Sequence, residues 1–409
     1  MKRAISVILF GLLCSGAFAD DELDFYKQQL DNALTAVDQL SILQLARGPA
    51  DTSDPANPTY PEEIENAGEL YAHALTRVLQ LYPNLRGQKE YNAANDSFRI
   101  IAEGLTEDQK DAGPSLWRVV KLVPDALVKM EAIQAVGRIK AEELLPQVVQ
   151  ILKDNNSTPY SNRLASERIA YGAIDALKNF GDPSGYLPVF FALNGWYSNS
   201  LKKVADKALP EISEDPVGPL TEVLHDGAYT LEEKFIALCA IEEKSSDEAA
   251  KGKAAIAALY EGWRGHSSNP KMQKEAVKMR KLAIDMIARY GIDGADDDEK
   301  KQAYALLDRS YRFGADTEEH LGVVHALGGE KLATEESANL LSSYIAILNS
   351  NLEREIVNQQ DERYMRTLIP SLGATGQASG KPVLRHTISL GWSAGVRQVA
   401  QKALDNLGK

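Results

Sequence analysis

The sequence predicts an all-α fold of stacked helix pairs, an α-solenoid, from three observations. The chain repeats itself: residues 167–209 match residues 362–404 at a spacing of 195, which becomes 196 at the Gly-Trp pair. Apolar residues recur at steps of three and four along most of the chain. Strand signals, such as Asn-Gly turns and alternating apolar runs, are nearly absent. Self-similar helical units of about forty residues bury their apolar faces by stacking on their neighbours.

The matched positions are conspicuous because they include glycine and tryptophan. In the first copy they are Glu167, Arg168, Ile174, Leu177, Gly181, Gly185, Gly195, Trp196, Val204, Ala205, Lys207, Ala208 and Leu209, and in the second Glu362, Arg363, Ile369, Leu372, Gly376, Gly380, Gly391, Trp392, Val399, Ala400, Lys402, Ala403 and Leu404.

Residues 1–19 have the layout of a secretory signal peptide. Lys2 and Arg3 form a positive start, residues 4–14 an apolar run, and residues 17–19 a small-x-small cleavage site. We therefore expect cleavage between Ala19 and Asp20, and a periplasmic or secreted protein of a bacterium.

One alternative is a lipoprotein signal with Cys14 as the lipidated residue. Leu13 argues against it, because lipoprotein signals resemble one another in having a small residue at that position. The apolar run is too short for a membrane span, which takes about 20 residues, and no later segment is apolar enough. We expect a soluble mature chain.

The charge of the chain is negative and uneven. Without residues 1–19 the net charge is −15, and residues 20–112 alone carry −11. Such a surface repels phosphate backbones and anionic lipid, which disfavours nucleic acid or a membrane surface as the partner. We expect residues 20–114 to form an acidic helical segment that caps the repeats of residues 115–409.

The acidic segment is predicted to contain helices separated by a proline-rich loop. Apolar residues predict one long first helix that ends near Arg47, and prolines predict an exposed loop over residues 49–61. Helical periodicity resumes at Glu62 and stops at Pro83. The apolar positions of the first helix are Leu23, Tyr26, Leu30, Ala33, Val37 and Leu40.

The repeats share an apolar pair, three residues apart, on the first helix of each unit. The pairs are Ile133/Val136, Ile174/Leu177, Phe235/Leu238, Ile284/Ile287, Val324/Leu327 and Ile369/Leu372. A glycine usually follows, where a left-handed helix end favours a residue without Cβ. These glycines are Gly181, Gly291, Gly328 and Gly376. The wide step after the second pair has room for an extra helix over residues 201–209.

Residues 173–188 resemble a HEAT-type repeat of the kind found in bilin-lyase-related proteins. The resemblance rests on an Ala-Leu pair, the Gly181-Asp182-Pro183 turn and a leucine on the second helix. Residues 360–405 are similar but have Gly376-Gln377 in place of Gly-Asp. Across residues 115–409 the pattern suggests five to seven units. The resemblance implies a right-handed superhelix with a concave binding surface and implies no catalytic residue, and we expect no cofactor.

Residues 391–395, GWSAG, match the G-x-S-x-G pattern of hydrolases that use serine as the nucleophile. Residues 387–390 could pass for the strand that the pattern requires. The hydrolase order needs a histidine downstream of Ser393, yet the last histidine is His386. The earlier copy also lacks the motif. We therefore interpret the match as false.

Three Gly-Trp pairs supply the candidate binding residues Trp196, Trp263 and Trp392. A recurring tryptophan can fill the seam between stacked units, since it buries a large area. It can also be an anchor for a partner, because aromatic residues dominate binding hot spots. We favour the structural interpretation and keep the second open.

Signals for metal binding and reactive thiols are weak. His320 and His325 are five residues apart and do not share a helix face. Residues 293–299 are rich in carboxylates without the spacing of a calcium loop, and they favour a cap of the next helix. Cys239 lies in an apolar helical stretch and is interpreted as a small buried hydrophobe.

Together these features predict an exported scaffold that presents a helical-repeat surface to a protein partner in the cell envelope. An envelope enzyme, or a carbohydrate-binding accessory factor that uses the groove of the solenoid, is the alternative.

Overall fold

The computed structural model describes residues 19–53, 59–157, 163–245, 247–265 and 269–407. These residues form twenty α-helices and no strand; a single β-bridge joins Asp51 and Thr59. The all-α prediction is therefore confirmed. The chain divides into two compact units, residues 1–214 and 215–409.

Unit 1 contains ten α-helices. They are α1 (Ala19–Asn32), α2 (Ala36–Arg47), α3 (Ala67–Leu81), α4 (Gln88–Gly104), α5 (Gly113–Leu122), α6 (Ala126–Arg138), α7 (Leu145–Ser157), α8 (Arg163–Phe180), α9 (Tyr186–Asn194) and α10 (Asn199–Ile212). Short 3-10 helices lie at Tyr82–Asn84, Glu107–Ala112, Glu142–Leu144 and Pro183–Gly185.

Unit 2 contains the other ten. They are α11 (Val217–His225), α12 (Leu231–Lys244), α13 (Glu248–Arg264), α14 (Pro270–Tyr290), α15 (Asp297–Phe313), α16 (Thr317–Gly328), α17 (Glu335–Glu353), α18 (Gln359–Ala374), α19 (Lys381–Ser389) and α20 (Ala394–Asn406). Its 3-10 helices lie at Glu330–Leu332 and Ala378–Gly380.

Within each unit the helices alternate between two rows. In unit 1 the even-numbered helices α2 to α10 pack side by side, as do α12 to α20 in unit 2. The odd-numbered helices of unit 2 form the second row, and in unit 1 α1 packs on α3, α3 on α5 and α7 on α9. The alternation includes α1 to α4, and the predicted boundary at residue 114 falls in the first turn of α5.

The predicted apolar pairs form the core of the even rows. They lie on α6, α8, α12, α14, α16 and α18, and all are buried except Phe235, which is half-buried. Glycine at the end of the first helix is confirmed at Gly181, Gly291 and Gly376, which have φ of 65°, 75° and 68°. Lys140 has the same left-handed conformation after α6, with φ of 51°.

Gly328 contradicts that pattern. It is the last residue of α16 and has no positive φ. Its lack of a side chain serves helix packing instead: a Cβ at this position would lie 2.5 Å from Cβ of Ser371 on α18. The glycine lets α16 and α18 approach closely.

The prediction of one long first helix is wrong. The chain breaks after Asn32, and Thr35 begins α2 by accepting a hydrogen bond from the Asp38 backbone N–H at 3.1 Å. The apolar spacing continues across the break because α1 and α2 both pack on α3, so periodicity alone could not show it. The helix predicted from Glu62 is α3 and begins at Ala67, while α2 ends at Arg47, as predicted for the end of the first helical segment.

Candidate functional site

Trp392 lies in the turn between α19 and α20 and is 3% exposed. Its indole Nε1 donates a hydrogen bond to Oδ1 of Asn349 on α17, at 2.8 Å. Asn349 is buried as well, and its Nδ2 donates to Oγ1 of Thr387 on α19 at 2.9 Å. The indole therefore joins the α19–α20 turn to two helices of the odd row.

Trp196 occupies the corresponding turn between α9 and α10. Its Nε1 donates to the backbone carbonyl oxygen of Asn155 on α7, at 3.2 Å. The indole is half-buried and stacks on Tyr197 with ring centroids 4.2 Å apart, and the Arg163 guanidinium lies 5.7 Å from its ring. The Arg163 side chain also donates to the Trp196 carbonyl at 3.0 Å.

Trp263 is placed differently from the other two. It lies inside α13, buried, between the guanidinium groups of Arg280 and Arg309 at 4.2 and 4.4 Å from its ring. Its Nε1 donates to Oγ of Ser310 at 2.9 Å. The three Gly-Trp pairs are therefore not one structural motif: two are turn residues and the third is a helix residue.

A buried ionic network around Trp263 was missing from the sequence predictions. Arg280, 2% exposed, donates to both carboxylate oxygens of Glu319 at 2.6 and 3.0 Å and to the Gly262 carbonyl. Lys234 is buried too and donates to Glu261 at 2.7 Å.

Both cations lie one helical turn before a buried apolar residue, Ile284 or Leu238, and so share the inward face. This spacing in the sequence could have indicated that both cations are buried. Burying two charges costs desolvation energy, so ion pairs of this kind add little net stability, but removing one partner leaves the other charge buried and unpaired.

Ser393 is a helix cap. It precedes α20, and its Oγ accepts the backbone N–H of Val396 at 3.4 Å. Ser198 does the same for α10 with the N–H of Leu201, also at 3.4 Å. The serine at this point of both copies starts a helix, and the strand that the G-x-S-x-G pattern requires before it is not formed by residues 387–389. Residues 387–389 belong to α19.

The weaker candidates also have structural roles. Asp296 caps α15 in a capping box with Glu299, as predicted for the acidic loop. His320 lies 3.2 Å from the Tyr364 hydroxyl through Nδ1 and 3.3 Å from the Gly314 carbonyl through Nε2. No group of three or more potential metal ligands is present among the described residues.

Cys239 is half-buried rather than fully buried. Burial, and secondly the negative charge of Glu242, raise the pKa of its thiol. The thiolate, which is the reactive form, is therefore disfavoured.

The surface of the described residues includes two open grooves of similar volume. One, of about 670 Å³, lies between α11, α13 and α15 in unit 2. The other, which we call the tyrosine groove, has a volume of about 630 Å³ in unit 1. It is lined by Tyr82, Gln88, Tyr91, Asn95, Leu122, Pro124 and Asp125.

The predicted cleavage site lies at the start of the described residues. α1 begins at Ala19, and residues 1–18, which include Cys14, lie outside the described part. None of the described helices is both long and apolar enough to cross a bilayer.

No protein-family model matches this sequence, and no curated protein matches it either.

Proposed function

We propose that the mature chain is an exported binding scaffold whose helix pairs stack as a HEAT-type α-solenoid and hold a protein partner in the cell envelope. The observation that carries this proposal is the recurrence of one packing solution. In both copies a tryptophan after the second helix donates its indole N–H to an asparagine of the preceding odd-row helix. Units that repeat the same contact between neighbouring helices can stack in a long series, which presents an extended surface.

Alternation of the helices between two rows supports the same proposal. So does the helical conformation of residues 387–389, because the G-x-S-x-G pattern of hydrolases requires a strand before its serine. We propose that the protein is not an enzyme and that it acts by binding.

The shape part of the proposal is tested by small-angle scattering on residues 20–409. A compact protein of this length has a radius of gyration of about 21 Å, and a curved solenoid exceeds that value clearly. A measured value at the compact limit would contradict the solenoid.

The partner part is tested by capture in the native periplasm. The tagged mature chain is cross-linked there, and the recovered proteins are compared with those recovered by an unrelated periplasmic bait of similar size and negative charge. We expect one or a few proteins enriched with the chain alone. Recovery of the same proteins by both baits would contradict the binding role.

A further inference from the structure

We propose that the outer side of α2 binds a basic amphipathic helix of the protein partner. The surface, which we call the α2 outer face, consists of Leu34, Asp38, Ser41 and Leu45. This inference rests on the proposed binding function and adds the place and the chemistry by which the partner is held.

The α2 outer face lies opposite the packed side of the helix. Asp38, Ser41 and Leu45 follow one another at steps of three and four, and all three are exposed. Leu34, which lies between α1 and α2, is 85% exposed, and Leu45 is 70% exposed. The two leucines therefore present apolar area to solvent near the start and near the end of α2. The buried residues, on the other side, are Ala36, Gln39, Leu43 and Ala46.

The helix that ends the even row of unit 2 differs from α2, which begins the even row of unit 1. The exposed residues of α20 are Ala394, Arg397, Gln398, Gln401, Lys402, Asp405 and Asn406. Terminal units of a solenoid need a polar outer face to stay soluble. α20 meets this requirement, whereas α2 carries two exposed leucines in its place. A covered contact surface accounts for them.

The charge beside the α2 outer face is negative. Residues 20–47 contain six carboxylates and two cations. Both cations are held by carboxylates of other helices: Lys27 lies 3.0 Å from Glu69 on α3. Arg47 lies 2.6 Å from Glu103 on α4. The exposed carboxylates that lie in no ion pair among the described residues are Asp21, Glu22 and Asp24 on α1, which packs on α2, and Asp38 on α2 itself.

Flanking cations do not cancel this charge. Residues 20–112 contain seven cations and have a net charge of −11. Five of the seven are already in ion pairs with carboxylates, namely Lys27, Arg47, Arg77, Arg99 and Lys110. The other two, Arg86 and Lys89, lie around the start of α4. A cationic partner is therefore attracted to the α1–α2 end of unit 1.

A helix fits this surface better than an extended segment does. The backbone groups of α2 bond within the helix, so no sheet edge is available to an extended peptide. An amphipathic helix can place apolar side chains on the two leucines and cations beside the carboxylates. Anionic lipid and a second copy of the same face carry negative charge and are repelled.

The test is calorimetric titration of residues 20–409 with a blocked peptide of about 14 residues, in which leucines recur at steps of four, three and four on a background of lysine. A second peptide has the same composition with the leucines dispersed around the helix. A third has glutamate in place of every lysine. We expect the first peptide to bind and to gain helix on binding, the second to bind roughly tenfold more weakly, and the third not to bind.

Variants of the chain locate the site. Leu34→Gln combined with Leu45→Gln should weaken binding of the first peptide by about tenfold or more, because both leucines lose the apolar area that they would bury. Glutamine has nearly the helix propensity of leucine, so α2 is kept. Leu164→Gln is the matched control, since Leu164 on α8 of the same unit is 62% exposed, and it should bind like the parent.

The charge of the face has its own pair of variants. Asp38→Asn should weaken binding by about threefold, as for the loss of one exposed charge pair. Glu336→Gln is the control: Glu336 is an exposed carboxylate in the first turn of α17, as Asp38 is in the first turn of α2, and the overall charge changes equally. This control should bind like the parent.

Four results would overturn the proposal: no binding of the first peptide at millimolar concentration, equal binding of the first two peptides, unchanged binding by the double leucine variant, or an equal loss in the Leu164→Gln control. Capture of the partner separates this proposal from the general function. A parent chain that captures its partner in the periplasm but fails the titration keeps the scaffold role and loses this site, whereas a parent chain that captures nothing loses the scaffold role as well.

Discussion

The two copies of the repeated unit are residues 163–212 in unit 1 and 359–406 in unit 2. Both place a tryptophan in the turn before their last helix, but the burial and the hydrogen-bond acceptor of that tryptophan differ. In the second copy Trp392 is buried and bonds to the side chain of Asn349. In the first copy Trp196 keeps an exposed part and bonds to a backbone carbonyl of Asn155. A repeat can thus retain a residue and its position while the burial and the hydrogen-bond acceptor of that residue change.

The largest difference between the copies should appear when the indoles are removed. Trp392→Ala empties a buried site and should lower the free energy of unfolding by about 3–5 kcal/mol. Trp196→Ala removes less buried area and should cost about 1–2 kcal/mol. Urea unfolding followed by circular dichroism measures both.

Equal losses for the two variants would show that the exposed part of Trp196 makes no energetic difference. A Trp196→Ala chain that unfolds like the parent but loses the captured partner would instead make Trp196 an anchor of the binding surface.

A second experiment separates the side-chain acceptor from the backbone acceptor. In unit 2, Trp392→Phe and Asn349→Leu remove the two ends of one hydrogen bond, so their effects should be coupled by about 1 kcal/mol. In unit 1, Trp196→Phe and Asn155→Leu should be additive within about 0.5 kcal/mol, because the backbone carbonyl remains in both. Double-mutant cycles on unfolding free energies measure the coupling. Additivity in unit 2 would mean that the Trp392 bond contributes little.

The seam could be predicted only in part from the sequence. Glycine at the helix ends and the buried apolar pairs follow from local chemistry, and both were found at the predicted residues except at Gly328 and at the half-buried Phe235. The exposure of each tryptophan depends on the neighbouring residues, which differ between the copies: Tyr197 follows Trp196, and Ser393 follows Trp392. The spacing of Arg280 to Ile284 indicates that Arg280 faces inward, whereas its pairing with Glu319 on another helix is a tertiary contact that no local pattern shows.

The tyrosine groove was missed for the same reason. Its walls come from the end of α3, from α4 and from the loop before α6, which only folding brings together.

Glycines at matched positions should behave alike in the two copies. Gly181 and Gly376 both have a left-handed φ, and a Cβ would meet nothing closer than 3.9 Å at the first and nothing within 4 Å at the second. Alanine at either position should therefore cost only the backbone strain, about 1–2 kcal/mol, and the two losses in urea unfolding should agree. Asparagine at either position should be more stable than alanine, since asparagine tolerates the left-handed conformation better. A loss at one position alone would mean that the two turns are not equivalent.

The smallest expected effect concerns the serines that begin α10 and α20. Each hydroxyl accepts one backbone N–H, so Ser198→Ala and Ser393→Ala should each lower the free energy of unfolding by about 1 kcal/mol or less, because both bonds are long at 3.4 Å. Threonine, which also caps helices, should restore most of the loss in each copy.

The same pair of residues tests the hydrolase-like motif, which only the second copy has. A fluorophosphonate probe, which labels activated serines, should label neither residue in the parent chain. Labelling of Ser393 without labelling of Ser198 would give the second copy a reactive nucleophile, and the two copies would then differ in chemistry as well as in packing.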